Sequence, residues 1–516
     1  MATAAASLPG KPALATTNTG LLTVGVMAAM VMQILDTTIA NVALPHMQTS
    51  LGATMDTVTW VLTSYIVASA IALPITGWLS DRYGSRNLFL VAVGGFVVAS
   101  MLCGTAVNLE EMVLFRVFQG IFAAFIAPLS QTVMLDINPP ERQGKAMAIW
   151  GMGVMVGPIM GPVIGGWLTE NYNWRWVFYV NVPVGILTFG LLWWLLPSKQ
   201  KRTRSFDMLG FSMLAIGLAS FQLMLDRGQQ EDWFQSWEIM IEAGIALAAF
   251  WIFVVHMATG KKPLFDRHML ANRNLLTGLF FMFLVGITAM APMALLPPML
   301  QQLFGYSVID TGMVLAPRGV GVLITMWLGG QLIGKVDPRY LIGTGVCISA
   351  YSMWLMTHWS LEMDWHSVIT SGFLQGIGMG LVFMPLNSMA FATLSSAYRT
   401  DGASLLNLTR SIGSSAGISM VTTLLSRNSQ ISHADISANL TALSLPAMNP
   451  EWVGALGSGG GTVLAMANAE ITRQALMIAY LDDFYLMAGV TMLTLPLVFI
   501  LKRPKPGVKM EVVHSE

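Results

Sequence analysis

The chain has 516 residues, 54% hydrophobic and only 10% charged, against roughly a quarter charged in an ordinary soluble domain. Its 27 basic and 27 acidic residues cancel, so no net field recruits nucleic acid. The two cysteines, Cys103 and Cys347, lie far apart inside apolar runs, which argues against a disulfide framework or a cysteine-based metal site.

Residues 1–19, with Lys11 as their one charge, read as a disordered cytoplasmic tail. The apolar run from Gly20 to Pro45 is too long for a signal-peptide core and is interrupted by Asp36, so it reads as a retained first span. Apolar runs between charged or Pro/Gly-rich breaks then predict helices near 20–44, 57–77, 88–107, 109–135, 146–169, 176–196, 207–225, 237–258, 275–299, 311–333, 340–358, 367–395, 403–425 and 482–501. Each is long enough to cross the hydrocarbon layer of roughly 30 Å. The chain is therefore expected to be an all-α polytopic membrane protein with fourteen spans. Before the last span, residues 427–480 form the one sizeable soluble piece. It holds Pro446, Pro450 and the glycine-rich 457–461, then an amphipathic helix with Leu464, Ala467, Ile471, Ala475 and Ile478 on one stripe.

An even span count puts both termini on one side. Twenty of the 27 basic residues then fall in the loops and tails of that side, while Arg175, Arg227, Arg427 and Arg473 fall on the other. The positive-inside rule makes the terminal side cytoplasmic.

Asp36 is the only acidic residue deep inside a span, where a charge costs at least a few kcal/mol, so it is a functional candidate by default. Arg116 in the fourth span lies at a similar depth, on the order of a dozen Å below the outer surface at 1.5 Å per residue. If the two pair, any motion that changes their separation changes proton affinity, which makes a proton-coupling device. The alternative is a structural ion pair, or a carboxylate held by Thr37 and Thr38. The polar span residues Gln33, Asn41, Gln119, Arg318, Gln375, Asn387, Asn407 and Arg410 are the candidate lining of a substrate cavity. Three arginines against one aspartate favour neutral or anionic apolar compounds over cations. The 38 methionines suit an adaptable apolar pocket, and equally suit lipid-facing or helix-packing positions.

The sequence also repeats itself. Gly77-Trp-Leu79-Ser-Asp81-Arg82-Tyr-Gly84-Ser-Arg86 matches Gly330-Gln-Leu332-Ile-Gly334-Lys335-Val-Asp337-Pro-Arg339 in form. Gln119-Gly120 with Pro128 recurs as Gln375-Gly376 with Pro385, and Leu44-Pro45 as Leu296-Pro297, all at nearly one offset. Two six-helix halves, 20–196 and 275–501, are expected to flank two extra helices and linkers in 197–274, with a cytoplasmic tail at 502–516. In the loop after the second span, Asp81 can pair with Arg82 and Arg86 or sit against a neighbouring helix N-terminus. Gly157, Gly161 and Gly165 lie on one helix face, where a neighbouring backbone can approach closely, and Pro158 and Pro162 accompany them. No Gly-x-x-x-x-Gly-Lys-[Ser/Thr] occurs, which disfavours direct ATP hydrolysis, and no metal-ligand or catalytic spacing points to an enzyme or a cofactor.

At these motifs the chain resembles the major facilitator superfamily. Gly77-x-Leu79-x-Asp81-Arg82-x-Gly84-x-Arg86 is similar to its helix-2/3 signature, with Ser85 where the family usually carries Arg. Gly157-Pro158-x-x-Gly161-Pro162-x-x-Gly165-Gly166 resembles its antiporter motif, and Leu35-Asp36-Thr37-Thr38-Ile39-x-Asn41-Val42-Ala43-Leu44-Pro45 the helix-1 motif of its fourteen-helix drug:proton antiporters. Trp60-Val61-x-Thr63-Ser64-Tyr65, Arg116-x-x-Gln119-Gly120 and Leu225-Asp226-Arg227-Gly228 with Asp232-Trp233 match further. The resemblance implies the major facilitator fold in a six-plus-two-plus-six arrangement and proton-coupled export of hydrophobic toxic compounds. It makes the helix-2/3 signature and the glycine ridge a conformational switch. It also implies an inner-membrane place in a Gram-negative tripartite pump, with the 427–480 piece docking a periplasmic adaptor that leads to an outer-membrane channel. An exporter of one physiological metabolite and a non-transporting receptor or assembly factor stay open as alternatives.

Overall fold

The computed structural model describes residues 14, 16–139, 142–198, 201, 204–332, 336–438 and 450–500. Of the expected disordered tail at 1–19, residues 1–13 and 15 lie outside the described residues, whereas the Leu14 N–H donates to the Asp136 carbonyl and Thr16 Oγ1 to the Leu195 carbonyl, so its end is held against the bundle. The tail at 502–516, Gly334 and Lys335 of the second repeat, and residues 439–449 also lie outside the described residues. Among the described residues fourteen long helices follow one another: α1 Thr19–Ser50, α2 Trp60–Tyr83, α3 Ser85–Thr105, α4 Leu109–Asp136, α5 Gln143–Asn171, α6 Trp176–Leu195, α7 Met208–Arg227, α8 Trp237–Thr259, α9 Arg273–Phe304, α10 Val308–Leu332, α11 Pro338–Met356, α12 Trp365–Ala392, α13 Arg399–Ala438 and α14 Pro450–Leu493. Side-chain caps set many of the starts. Asn18, Asn108, Asp207 and Asp364 each accept from a backbone N–H three residues on, which satisfies donors that a helix start leaves open. Among the described residues, twelve helices are long and apolar enough to cross a membrane by length and composition. The other two long helices are α11 and α13, and α13 buries polar residues such as Ser404, Asn407 and Ser419 against its neighbours.

The duplication seen in the sequence reappears in the packing. α1 packs on α5 and α6, α4 on α2 and α3, and α3 on α6; eight helices later α9 packs on α13 and α14, α12 on α10 and α11, and α11 on α14. The halves meet along two seams, α5 with α10 and α2 with α13. Call the end that carries Gly84 the turn end, and the opposite one, beyond Ala438, the hairpin end. At the turn end one continuous apolar core joins both halves, from Leu22 and Phe89 to Phe383 and Leu406. Toward the hairpin end the core divides, one part around Ile39, Met47 and Phe178 and the other around Leu296, Met353 and Phe484.

The two seams differ. α5 and α10 pack closely, with Ile159 against Gly319 and Val163 against Gly312. α2 and α13 meet directly near the turn end, where the Ser404 hydroxyl donates to the Leu73 carbonyl. Toward the hairpin end α7 stands between them. Its Asp226 accepts from Thr63 of α2, Gln222 Nε2 donates to Ser415 Oγ of α13 at 2.9 Å, and Ser419 Oγ donates to the Leu225 carbonyl at 2.7 Å.

The soluble piece at 427–480 differs from expectation. α13 runs on to Ala438, and α14 starts at Pro450, so the two form a helical hairpin. His433 Nε2 lies 3.0 Å from Asn468 Oδ1 across it. Glycine disfavours a helix interior by only about 1 kcal/mol, which does not interrupt the long α14 at 457–461, while proline suits a first helical turn. The foreseen amphipathic helix is the start of the last span, Ala465–Phe499, with Ala475, Met477 and Tyr480 in its core.

Candidate functional site

Asp36 lies midway along α1, and five helices of the N-terminal half enclose its carboxylate. Arg116 Nη1 on α4 donates to Oδ2 at 2.7 Å. Gln119 Nε2, one turn further along α4, and Asn181 Nδ2 on α6 donate to Oδ1 at 2.8 and 2.7 Å. Arg116 is fixed in turn: Nε donates to the Val61 carbonyl of α2 at 3.0 Å, and the guanidinium lies 4.3 Å from the Tyr65 ring centroid. Ser100 of α3 accepts from Asn181 at 2.9 Å and donates to the Phe178 carbonyl at 3.0 Å. Asp36, Arg116, Gln119 and Asn181 are each at most 2% exposed.

The partner of Asp36 is thus Arg116, while Thr37 and Thr38 donate to the Ile34 and Leu35 carbonyls of their own helix. Removing one member of a buried ion pair costs about 3–5 kcal/mol, because the other charge stays behind uncompensated. Proton uptake by Asp36 has the same electrostatic consequence for Arg116.

α5 holds α1 from the other side. A Cβ added at Gly157 would meet Ile34, at Gly161 Thr38, and at Gly165 Ile39, and Thr38 Oγ1 donates to the Gly157 carbonyl at 3.2 Å. The glycine ridge thus lies on the turns of α1 that carry Asp36. Pro158 and Pro162 sit inside the continuous α5, both half-buried.

At the turn end, Gly84 takes φ +90° between α2 and α3, a conformation that favours glycine. Gly77 leaves room for the Asp401 carboxylate at the start of α13. Arg204, in the linker ahead of α7, donates to Asp401 Oδ2 at 2.7 Å and lies 3.8 Å from Asp81 Oδ2. Arg82 instead stacks 5.5 Å from the Trp78 ring, and Arg86 donates to the Trp193 carbonyl at 2.6 Å. The halves themselves are joined by an ion pair where Arg399 Nη1 of α13 meets Asp136 Oδ1 of α4 at 2.8 Å.

The expected cavity residues separate. Gln119 belongs to the Asp36 cluster. Asn387 and Asn407 converge on Gln131 of α4: Gln131 Nε2 donates to Asn387 Oδ1 at 2.9 Å, and Asn407 Nδ2 donates to Gln131 Oε1 at 3.1 Å. Arg410 lies half-buried one turn from Asn407. Arg318 and Gln375 line a cavity inside the C-terminal half, Gln33 is half-buried on α1, and Asn41 is exposed. Sequence reasoning missed Ser100, Gln131, Asn181, Arg204 and the Asp136–Arg399 pair. Three of these are uncharged, and the two arginines read as topology charges. An asparagine inside an apolar run was the one available signal, at Asn181.

The Major Facilitator Superfamily family model matches residues 26–418. The chain is 34% identical over 489 residues to the multidrug export protein EmrB of Escherichia coli K12, covering 94% of this chain and 95% of the relative. It is 34% identical over 488 residues to the fatty acid resistance protein FarB of Neisseria gonorrhoeae, covering 94% and 96%. Among solved structures, the human organic anion transporter MFSD10 (TETRAN) superposes with a TM-score of 0.59 at 14% identity, over 93% of this chain and 99% of that one.

Proposed function

The chain belongs to the Major Facilitator Superfamily, and on that premise we propose that it is a proton-coupled antiporter exporting hydrophobic, neutral or anionic toxic compounds. The observation that carries this reading is the enclosed Asp36–Arg116 pair with its amide donors. Asp36 takes up a proton and leaves Arg116 without its counter-charge; α1 and α4 shift to relieve it, and the glycine ridge of α5 transmits that shift to the seam with α10. The contacts of Gly77, Asp81, Arg204 and Asp401, with the Asp136–Arg399 pair, form the latch of the closed turn end. The names of the 34%-identical relatives, one a multidrug export protein and one a fatty acid resistance protein, support this substrate range.

The turn end is cytoplasmic in this reading, because basic residues concentrate in its loops. The protein then sits in the inner membrane with both termini inside, six-helix halves at 20–196 and 275–501, and an inserted pair at 197–274. Its helical hairpin projects into the periplasm, docking an adaptor within a tripartite pump that ends in an outer-membrane channel.

The test is purified protein in liposomes with a pH-sensitive dye inside and an imposed proton gradient. Addition of a hydrophobic compound without an ionisable group is expected to dissipate the gradient, and Asp36→Asn is expected to abolish that flux. Substrate movement with no accompanying proton flux would reject the coupling.

A further inference from the structure

The two halves treat one position differently. Leu44-Pro45 recurs 252 residues later as Leu296-Pro297, and the same offset sets Thr288 of α9 in register with Asp36, while Gln375 of α12 repeats Gln119. In the N-terminal half Gln119 donates to the Asp36 carboxylate. In the C-terminal half neither the amide nitrogen nor the amide oxygen of Gln375 has a hydrogen-bond partner among the described residues, although the side chain is only 2% exposed. Thr288 donates its hydroxyl to the Leu284 carbonyl at 3.0 Å. Where the carboxylate would stand is a cavity of about 40 Å³ lined by Thr288, Ala289, Arg318 and Gln375, with Phe281 and Met379 among its apolar walls.

Arg318 of α10 brings a positive charge to this cavity. It is 6% exposed and donates from Nη2 to the Ala289 carbonyl at 2.9 Å, and no carboxylate among the described residues pairs with it. A guanidinium enclosed without a counter-ion is costly, and so is an amide with no partner. A volume of this size holds about three water-sized groups, which matches a carboxylate head group.

We propose that this cavity binds the head group of an amphipathic monocarboxylate between Arg318 and the Gln375 amide, in the place that Asp36 fills in the other half. The alkyl segment lies against Phe281, Val285 and Met379. The proposal deepens the exporter reading by naming one substrate class. Its test measures binding alone, so it fails independently of proton coupling.

The full chain in lipid nanodiscs is titrated with radiolabelled octanoate from water, with oleate placed in the bilayer, and with 1-octanol as the neutral comparator. Saturable binding of either carboxylate, at least tenfold weaker in Arg318→Gln and in Thr288→Asp, supports the site, and the carboxylate that binds tells from which phase it fills. Thr288→Asp supplies an internal carboxylate opposite Arg318, so it decides the matter if Arg318→Gln does not fold. The proposal is overturned if neither carboxylate binds saturably to the wild type, if Thr288→Asp binds as the wild type does, or if 1-octanol competes as well as octanoate.

Discussion

Gly77 of α2 and Asp401 of α13 lie so close that a single methyl group on Gly77 would overlap the Asp401 carboxylate. Glycine is needed there for the approach and not for its dihedral freedom, since Gly77 lies within the helix. Gly77→Ala should push α13 away from α2 and weaken the closed turn end by about 1–3 kcal/mol, the usual cost of overpacking. In a background without Cys103 and Cys347, a cysteine replacing buried Ser404 should become roughly tenfold more reactive to an impermeant maleimide, a factor matching about 1.4 kcal/mol. Unchanged reactivity would remove Gly77 from the latch.

Asp36→Asn keeps the shape of the side chain and removes its charge. The variant should insert and bind substrate while gradient-driven efflux is lost. Efflux that persists near the wild-type rate takes the carrier role away from Asp36. At Arg116, lysine keeps the charge but loses the planar fork that reaches both Asp36 and the Val61 carbonyl. Partial loss is expected for Arg116→Lys and complete loss for Arg116→Ala; equal and mild effects would demote Arg116 to packing.

The Asp136–Arg399 pair joins the halves through side chains that are almost fully enclosed. Asp136→Ala or Arg399→Ala alone should each cost about 3–5 kcal/mol. The double variant should lie closer to the wild type than either single one, because it leaves no orphan charge. Thermal unfolding in detergent, run as a double-mutant cycle, measures the coupling. Strict additivity would show that the pair contributes nothing jointly.

The hairpin sets where a deletion can be made. Residues 465–480 belong to the last span, and Ala475, Met477, Ala479 and Tyr480 among them are buried, so a cut reaching them would remove part of the bundle. Replacing 434–464 with a short Gly/Ser linker closes only a modest gap, and loop entropy grows slowly with length. Transport in vesicles should survive and resistance in cells should fall, because compounds released into the periplasm re-enter. Loss of both with normal insertion would sink docking as the main role; retention of both would leave the hairpin without it.

The spans were legible because a bilayer leaves few solutions: an apolar run of that length must become a helix, and its charges mark its ends. The Asp36–Arg116 pair was legible for a related reason, since an intramembrane charge demands a partner. Asn181 and Ser100 complete the same cluster, yet uncharged polar residues occur in many spans for local reasons, so neither stood out. Arg204 serves Asp401 of the C-terminal half from a distant linker, but in a linear reading it is one more basic residue in that basic linker. The helical course of the hairpin was not legible because glycine costs a helix interior only about 1 kcal/mol, so a glycine-rich stretch does not by itself mark a break. The position of α7 has no linear signal at all, since apolar residues serve equally against lipid and against protein.

That position has a consequence for the route a transported compound takes. In a two-fold arrangement, parting the halves opens a slot on each flank. One flank is closed here by α5 against α10, and the other is stopped by α7 as by a gasket, tied to α2 through Asp226 and to α13 through Gln222 and Leu225. On that flank a compound therefore cannot pass between α2 and α13 toward the hairpin end without first displacing α7.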